Sequence, residues 1–276
     1  MTGVSVAGVD TERRSPVREP RTRRRRDNQG RLAFWLLLPA AIAVFGVIVY
    51  PILRTLLISF FEVNSALATD TPFVGLQNYI GVLTSSGFWA AMGRTLYFTI
   101  VSTALELVFG LIVAGLLNAK LRARWLFRAI VIIPWAIPTI VNAAMWKGIF
   151  NAQYGALNAA LTQLGIIHQY QAWLGDPTTA LNAVIIADVP MLVPSISVVL
   201  VLRTVEAFKV FDIIYAMTRG GPVNGTQTVA YYAYTTAFSD QNFGLGAALS
   251  YIIVLVILAL TFFYLRLLRR SEMSLL

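Results

Sequence analysis

From Leu32 to Phe61 the chain reads LAFWLLLPAAIAVFGVIVYPILRTLLISFF, a run in which Arg54 is the only charged residue. A helix needs about 20 predominantly apolar residues to cross the hydrocarbon core of a bilayer, so this stretch predicts a membrane span. Its length is about twice that of a signal-peptide apolar region. It therefore reads as a retained span, although Ser65-Ala66-Leu67-Ala68 resembles a cleavage site. The whole chain continues the pattern: 57% of its 276 residues are hydrophobic, 13% are charged, and mean hydropathy is +0.69. Soluble domains carry about twice that charge, and disorder requires low hydrophobicity. With no cysteine and His168 as the one histidine, a disulfide framework, a thiolate site and a histidine metal cluster are all excluded.

Working outward, four more stretches are long and apolar enough to span: Leu96–Leu117, Trp125–Phe150, Leu181–Leu202 and Ala247–Leu265. No ten-residue alternation suggests a barrel, so the fold class is all-α and polytopic. Lys and Arg mark the cytoplasmic side. Between Asp10 and Arg31 there are nine arginines against four acids, including Arg23-Arg24-Arg25-Arg26. Such a block could suit nucleic acid, but a span follows at once, so it reads as an orienting cytoplasmic arm without regular structure. Glu62–Gly93 and Asn151–Ala180 contain no Lys or Arg and fit outside, while Lys120, Arg122, Arg124 and Arg128 fit inside. After the fourth span the rule fails. Five crossings would put Arg266, Arg269 and Arg270 outside and the Lys/Arg-free Gly220–Gly246 inside. An inside C-terminus needs an even count, so one crossing is short near Leu181–Leu202.

Glu106 lies mid-span, where an ionisable group costs about 2.5 kcal/mol or more; it is either a functional acid or one bonded between helices. Arg203, Glu206, Lys209 and Asp212 recur at steps of three and predict a ladder of i,i+3 pairs, lining a path or bracing a partner. Asn142 and Trp146, four apart, share a helix face, and amide and indole groups suit hydroxyls and apolar sugar faces. Tyr231, Tyr232 and Tyr234 read more simply as an interfacial belt. Gly110 and Ala114 form a small-xxx-small pair for close helix packing. Gly220-Gly221-Pro222 is a turn, and the chain has no Walker-type Gly-Lys-Ser/Thr. It has no phosphate cradle for ATP, no catalytic group and no metal set.

Three motifs carry a resemblance. Phe73-Val74-Gly75-Leu76-Gln77-Asn78-Tyr79, then Phe127-Arg128 with Ile133-Pro134-Trp135-Ala136-Ile137-Pro138, then Val210–Pro222 (VFDIIYAMTRGGP) occur in order. With the terminal Arg269-Arg270 they resemble the carbohydrate ABC-importer permeases, and the basic arm and GGP segment resemble the MalF/UgpA-like member of the permease pair. The resemblance implies a type I importer permease fold, with an arm over 1–31, a transmembrane permease domain over 32–268 and a cytoplasmic tail over 269–276. It implies a bacterial-type inner membrane, both termini cytoplasmic, and a carbohydrate substrate. Its implied partners are a MalG-like second permease, a dimeric ATP-binding subunit that holds ATP and Mg, an extracytoplasmic solute-binding protein and membrane lipid, but no nucleic acid. The path candidates are Asn142, Trp146, Glu106, Glu206 and Asp212. An ion-coupled secondary transporter or a non-transporting scaffold are the alternatives.

One family element is absent. The cytoplasmic loop that docks on the ATPase should lie between Ala187-Asp188-Val189 and Pro190-Met191-Leu192-Val193-Pro194, yet the two stretches adjoin. Parity, argued without the family, locates the missing crossing at the same place. The sequence thus predicts a sixth span interrupted or missing at Val189/Pro190, with those residues lying far apart.

Overall fold

The structure, a computed structural model, describes residues 23–67, 69–119, 124–192 and 200–273. Within them the chain is helical, with one isolated antiparallel bridge, Phe61 to Phe73. It divides into two compact units, Met1–Leu53 and Arg54–Leu276.

The first unit is helix α1 (Arg23–Val44), a π-helical turn at Phe45–Val49 and the start of α2 (Tyr50–Ile58). The wider turn precedes Pro51, whose missing N–H already leaves a carbonyl of the previous turn without its helical partner. Helix α1 begins inside the stretch expected to be an irregular arm. Arg and Gln are good helix formers, and a helix nucleated by the apolar run extends backward at little cost. Residues 1–22, the rest of that arm, lie outside the described residues, as do 274–276 of the tail.

In the second unit, α3 (Gln77–Thr84) is followed by α4 (Ser86–Asn118), capped by the Ser85 hydroxyl accepting from the Phe88 N–H. Then come α5 (Arg124–Ala136), α6 (Thr139–Ile149), α7 (Ala156–Gln163), α8 (Pro177–Leu192) and α9 (Leu200–Phe208). Helices α10 (Asp212–Met217), α11 (Val229–Tyr234) with a π-turn at Thr235–Ser239, and α12 (Phe243–Met273) complete it. Arg31–Ile58, Ser86–Asn118 and Phe243–Tyr264 are each long and apolar enough to cross a membrane, and Trp125–Pro134 with Thr139–Ile149 makes a fourth if that bent pair counts as one span.

One of the expected spans is therefore not a single helix. Trp125–Phe150 bends by 88° between α5 and α6. Pro138 has no N–H to give and disfavours helical backbone at Ile137 before it. The described parts of Leu181–Leu202 fall in α8, 16 residues, and α9, 9 residues. At about 1.5 Å per residue these described lengths are about 24 and 14 Å; residues 193–199, between them, lie outside the described residues. Val189 and Pro190 are not far apart: both sit within α8, against expectation. Pro190 falls in the last described turn, where it leaves only the Ile186 carbonyl without a helical donor, a loss that membrane helices tolerate.

Helix α4 packs between two buried clusters. One joins Phe98 to Phe150, Val184, Ile185, Ile213, Ile214 and Met217; the other joins Phe88 and Met92 to Val82, Phe208, Val229, Leu249 and Ile253. Ala143, Ala183, Ala187, Ala207 and Ala248 are buried among them. Lipid is as apolar as leucine, so small residues that let backbones approach count for more here than large ones. The Phe73–Tyr79 motif clasps the end of α2. The Asn78 amide donates to the Ser59 and Phe61 carbonyls at 2.9 and 3.0 Å, and the Tyr79 and Ser59 hydroxyls share a 2.7 Å hydrogen bond. The segment after α10 is tied to α4: Arg94 Nε donates to the Gln227 carbonyl at 2.9 Å, and the Val229 N–H to Thr95 Oγ1 at 2.9 Å.

Candidate functional site

About two-thirds of the way along α4, Glu106 is fully buried. An isolated carboxylate there would lose its hydration for nothing, so it needs a partner. Arg203 of α9 supplies it, with Nε and Nη2 both donating to the Glu106 carboxylate. The same Nη2 donates to Asp188 Oδ2 of α8 at 2.8 Å, and Nη1 lies 3.7 Å from Glu206 on its own helix. One guanidinium fork thus pins three helices at one level, using the planar geometry that distinguishes Arg from Lys. Toward Ser86 from Glu106, α4 carries three more polar groups on nearly the same face: the buried hydroxyls of Thr99, Ser102 and Thr103, which have no hydrogen-bond partner among the described residues.

Beside this cluster opens a cavity of about 440 Å³ lined by Thr139 of α6, Asp188 of α8, Arg203, Glu206 and Lys209, and Phe211 with Asp212 at the start of α10. Its size suits a small ligand. Glu206, Lys209 and Asp212 are exposed, and Lys209 and Asp212 form no ion pair among the described residues. Such a wall offers carboxylate acceptors and an ammonium donor to hydroxyl groups, with the Phe211 ring as an apolar face. No group of three or more His, Cys, Asp or Glu side chains among the described residues is placed to hold a metal ion. Arg203 itself occupies the centre of the carboxylates.

The candidate residues separate accordingly. Glu206 and Asp212 meet at the cavity. The expected ladder of i,i+3 pairs is met at its first rung, Arg203–Glu206 at 3.7 Å, but among the described residues it does not continue to Lys209 and Asp212, because α9 ends at Phe208 and Asp212 starts a different helix. Glu106 is committed to Arg203, which removes the free embedded acid that an ion-coupled transporter would need. Asn142 is buried and donates to the Ala187 carbonyl at 3.0 Å, tying α6 to α8. Trp146 stacks on Phe150 at 5.3 Å against the core. Spacing did not reveal the pairing of Arg203 with Glu106, 97 residues away, nor Phe211 and Thr139 as lining. The signal present in sequence was chemical: a lone Glu in one apolar run, and an Arg at the end of another, must find partners.

No family model matches the chain. Among curated proteins, it is 33% identical over 280 residues to the trehalose/maltose transport system permease protein MalF of Thermococcus litoralis, covering 86% of this chain and 94% of that one. It is 33% identical over 273 residues to the trehalose transport system permease protein SugA of Mycobacterium tuberculosis, covering 86% and 88%. It is 30% identical over 283 residues to the sulfoquinovosyl glycerol permease protein SmoG of Agrobacterium fabrum, covering 87% and 91%. A solved bacterial alginate ABC transporter, in complex with an alginate pentasaccharide-bound periplasmic protein, contains a chain of the same fold: TM-score 0.74 at 16% identity, over 90% of this chain and 97% of that one. The Thermococcus match runs over 280 residues but takes in 86% of the 276 here, about 237, so about 43 residues of that relative have no counterpart. For the Mycobacterium protein, 273 against about 237 leaves about 36.

Proposed function

The chain belongs to the permeases of carbohydrate ABC importers, and we propose that its sugar path runs through the charged cavity among α6, α8 and α9. It is a multi-pass membrane protein and a transport subunit, not an enzyme; ATP is hydrolysed by a partner. The observation that supports the path is the joining of Glu206, Lys209, Asp212 and Phe211 in one open cavity beside a buried ion cluster. Glu206 and Asp212 would accept hydroxyl protons, and Lys209 would donate to ring or hydroxyl oxygens. Arg203 would act only by holding the wall in place.

The expected partners are a MalG-like second permease, a dimeric ATPase carrying ATP and Mg, and a solute-binding protein at the outer face. Both termini are placed in the cytoplasm, with Glu62–Gly93 and Asn151–Ala180 outside, by the Lys/Arg bias. We place the residues that relatives have and this chain lacks at Val189–Pro190. The shortfall of about 43 residues against the Thermococcus protein supports this, together with the Lys/Arg bias of the sequence, which asks for an even count of crossings. A piece of that length would complete the fourth span, make a cytoplasmic ATPase-docking loop and begin the fifth, giving six crossings. The chain as it stands then holds the path but not the link to the ATPase.

The test is sugar uptake in cells that express the partner subunits. The Thermococcus segment spliced between Val189 and Pro190 should confer ATP-dependent maltose or trehalose uptake, and the unspliced chain should give none. Full uptake by the unspliced chain would refute the missing link. Inactivity of both, with membrane insertion intact, would count against the proposed path.

A further inference from the structure

We infer that Phe238, Tyr234, Tyr215 and Phe211 form an aromatic track that holds pyranose rings by their apolar faces on the way to the cavity. This rests on the cavity being the sugar path. The rings are contiguous: Phe238 to Tyr234 is 5.2 Å between centroids, Tyr234 to Phe211 5.0 Å, Tyr234 to Tyr215 5.9 Å and Tyr215 to Phe211 5.6 Å. Phe211 is also part of the cavity wall, so the series ends where the carboxylates begin. At the far end Phe238 is 63% exposed, and Tyr215 is 39% exposed along the way.

The rings are held from behind. Tyr231 is buried and stacks on Phe211 at 5.9 Å. Gly220, at φ +79°, passes so close that a β-carbon there would lie 2.7 Å from the Tyr231 ring, so a residue with a side chain would push the platform out of line. An interfacial belt needs only rings at one membrane depth, scattered around the perimeter. Here each ring touches the next, and the series leads from an exposed ring to a polar cavity. A pyranose has one face of C–H groups and a rim of hydroxyls. Stacking satisfies the first, while Glu206 and Asp212 at the cavity meet the second. The track accordingly selects ring sugars over open-chain polyols.

Binding to the full chain in lipid nanodiscs tests this, with maltose as probe and sorbitol as its open-chain control. Phe238→Ala and Tyr234→Leu should each weaken maltose by about 3- to 10-fold, while Tyr234→Phe should retain wild-type affinity. Any sorbitol binding should be unaffected by these variants. Phe238 is exposed, so its truncation leaves the core intact and loss of fold does not confuse the result. Unchanged maltose affinity in Phe238→Ala and Tyr234→Leu, with Glu206→Gln weakened, would overturn the track and leave the cavity path standing. Equal loss in Tyr234→Phe and Tyr234→Leu would assign the effect to the hydroxyl and also overturn it. No maltose binding by the unaltered chain would remove the cavity path and the track with it.

Discussion

From Ser86 to Glu106, α4 buries Phe88, Ala91, Met92, Thr95, Phe98, Thr99, Ser102 and Glu106; from Leu107 to Asn118 it buries no residue. The first stretch is clearly the less apolar of the two, and its polar residues account for the difference. Thr95, Thr99, Ser102, Thr103 and Glu106 all lie in the first half, and the second reads LVFGLIVAGLLN, polar only at its final Asn118. In water the apolar residue marks the inside. In lipid the polar one does, because it alone must find a partner. The bare half can face lipid at no cost, and its Gly110, Ala114 and Gly115 would also let another helix approach closely.

The largest expected effect comes from breaking what holds the packed half together. Arg203→Met leaves Glu106 and Asp188 buried without a counter-charge. It should lower stability by about 3–5 kcal/mol, read as a large fall in the midpoint of thermal unfolding in nanodiscs. A variant as stable as the parent would show that the ion cluster does not bind α4, α8 and α9 together. Phe98→Ala and Phe109→Ala then compare the halves directly. Phe98 is fully buried and Phe109 is 48% exposed, so the first should cost about 3 kcal/mol and the second under about 0.5. Equal losses would mean that Leu107–Asn118 is packed after all.

The sequence revealed the polar half of this contrast and concealed the rest. Glu106 could be picked out as a residue in need of a partner, but its partner lies 97 positions away and no spacing rule reaches that far. The Phe73–Tyr79 motif was recognisable without its reason, which is the Asn78 amide closing the carbonyls at the end of α2. The break at Ile137–Pro138 was written in the prolines, yet apolar counting merged α5 and α6 into one span. Hydropathy registers length and composition but not direction. The cavity was illegible for another reason: Thr139, Asp188 and Asp212 come from three helices, and only tertiary packing brings them together.

The smallest effect belongs to the well-anchored start of α8. Asp176 caps it, with Oδ1 accepting from the Thr178 hydroxyl and from the Thr178 N–H at 2.9 Å. The Thr178 side-chain bond is the main cause that holds this carboxyl below its usual range, with the Thr178 and Thr179 backbone bonds adding to it. The carboxylate form is the one favoured by folding. Its contribution is present above the ordinary carboxylate range and fades as pH falls through the lowered folded value. Unfolding followed against pH should show a slight acid-side loss that Asp176→Asn abolishes. An unchanged acid limb in that variant would remove Asp176 from the account.

The 88° bend between α5 and α6 gives this membrane domain an articulation. A continuous helix resists pivoting because each turn is bonded to the next. At Ile137–Pro138 the proline has no N–H to contribute, and the first amides of α6 have, as at any helix start, no donor role inside the helix. The first i→i−4 bond of α6 runs from the Asn142 N–H to the Pro138 carbonyl. Rotation at this joint therefore stretches few main-chain bonds, and α6 can swing while α5 stays in place. Since Thr139 lines the cavity and Asn142 grips α8, such a swing would open or shut the cavity wall and carry α8 along with it.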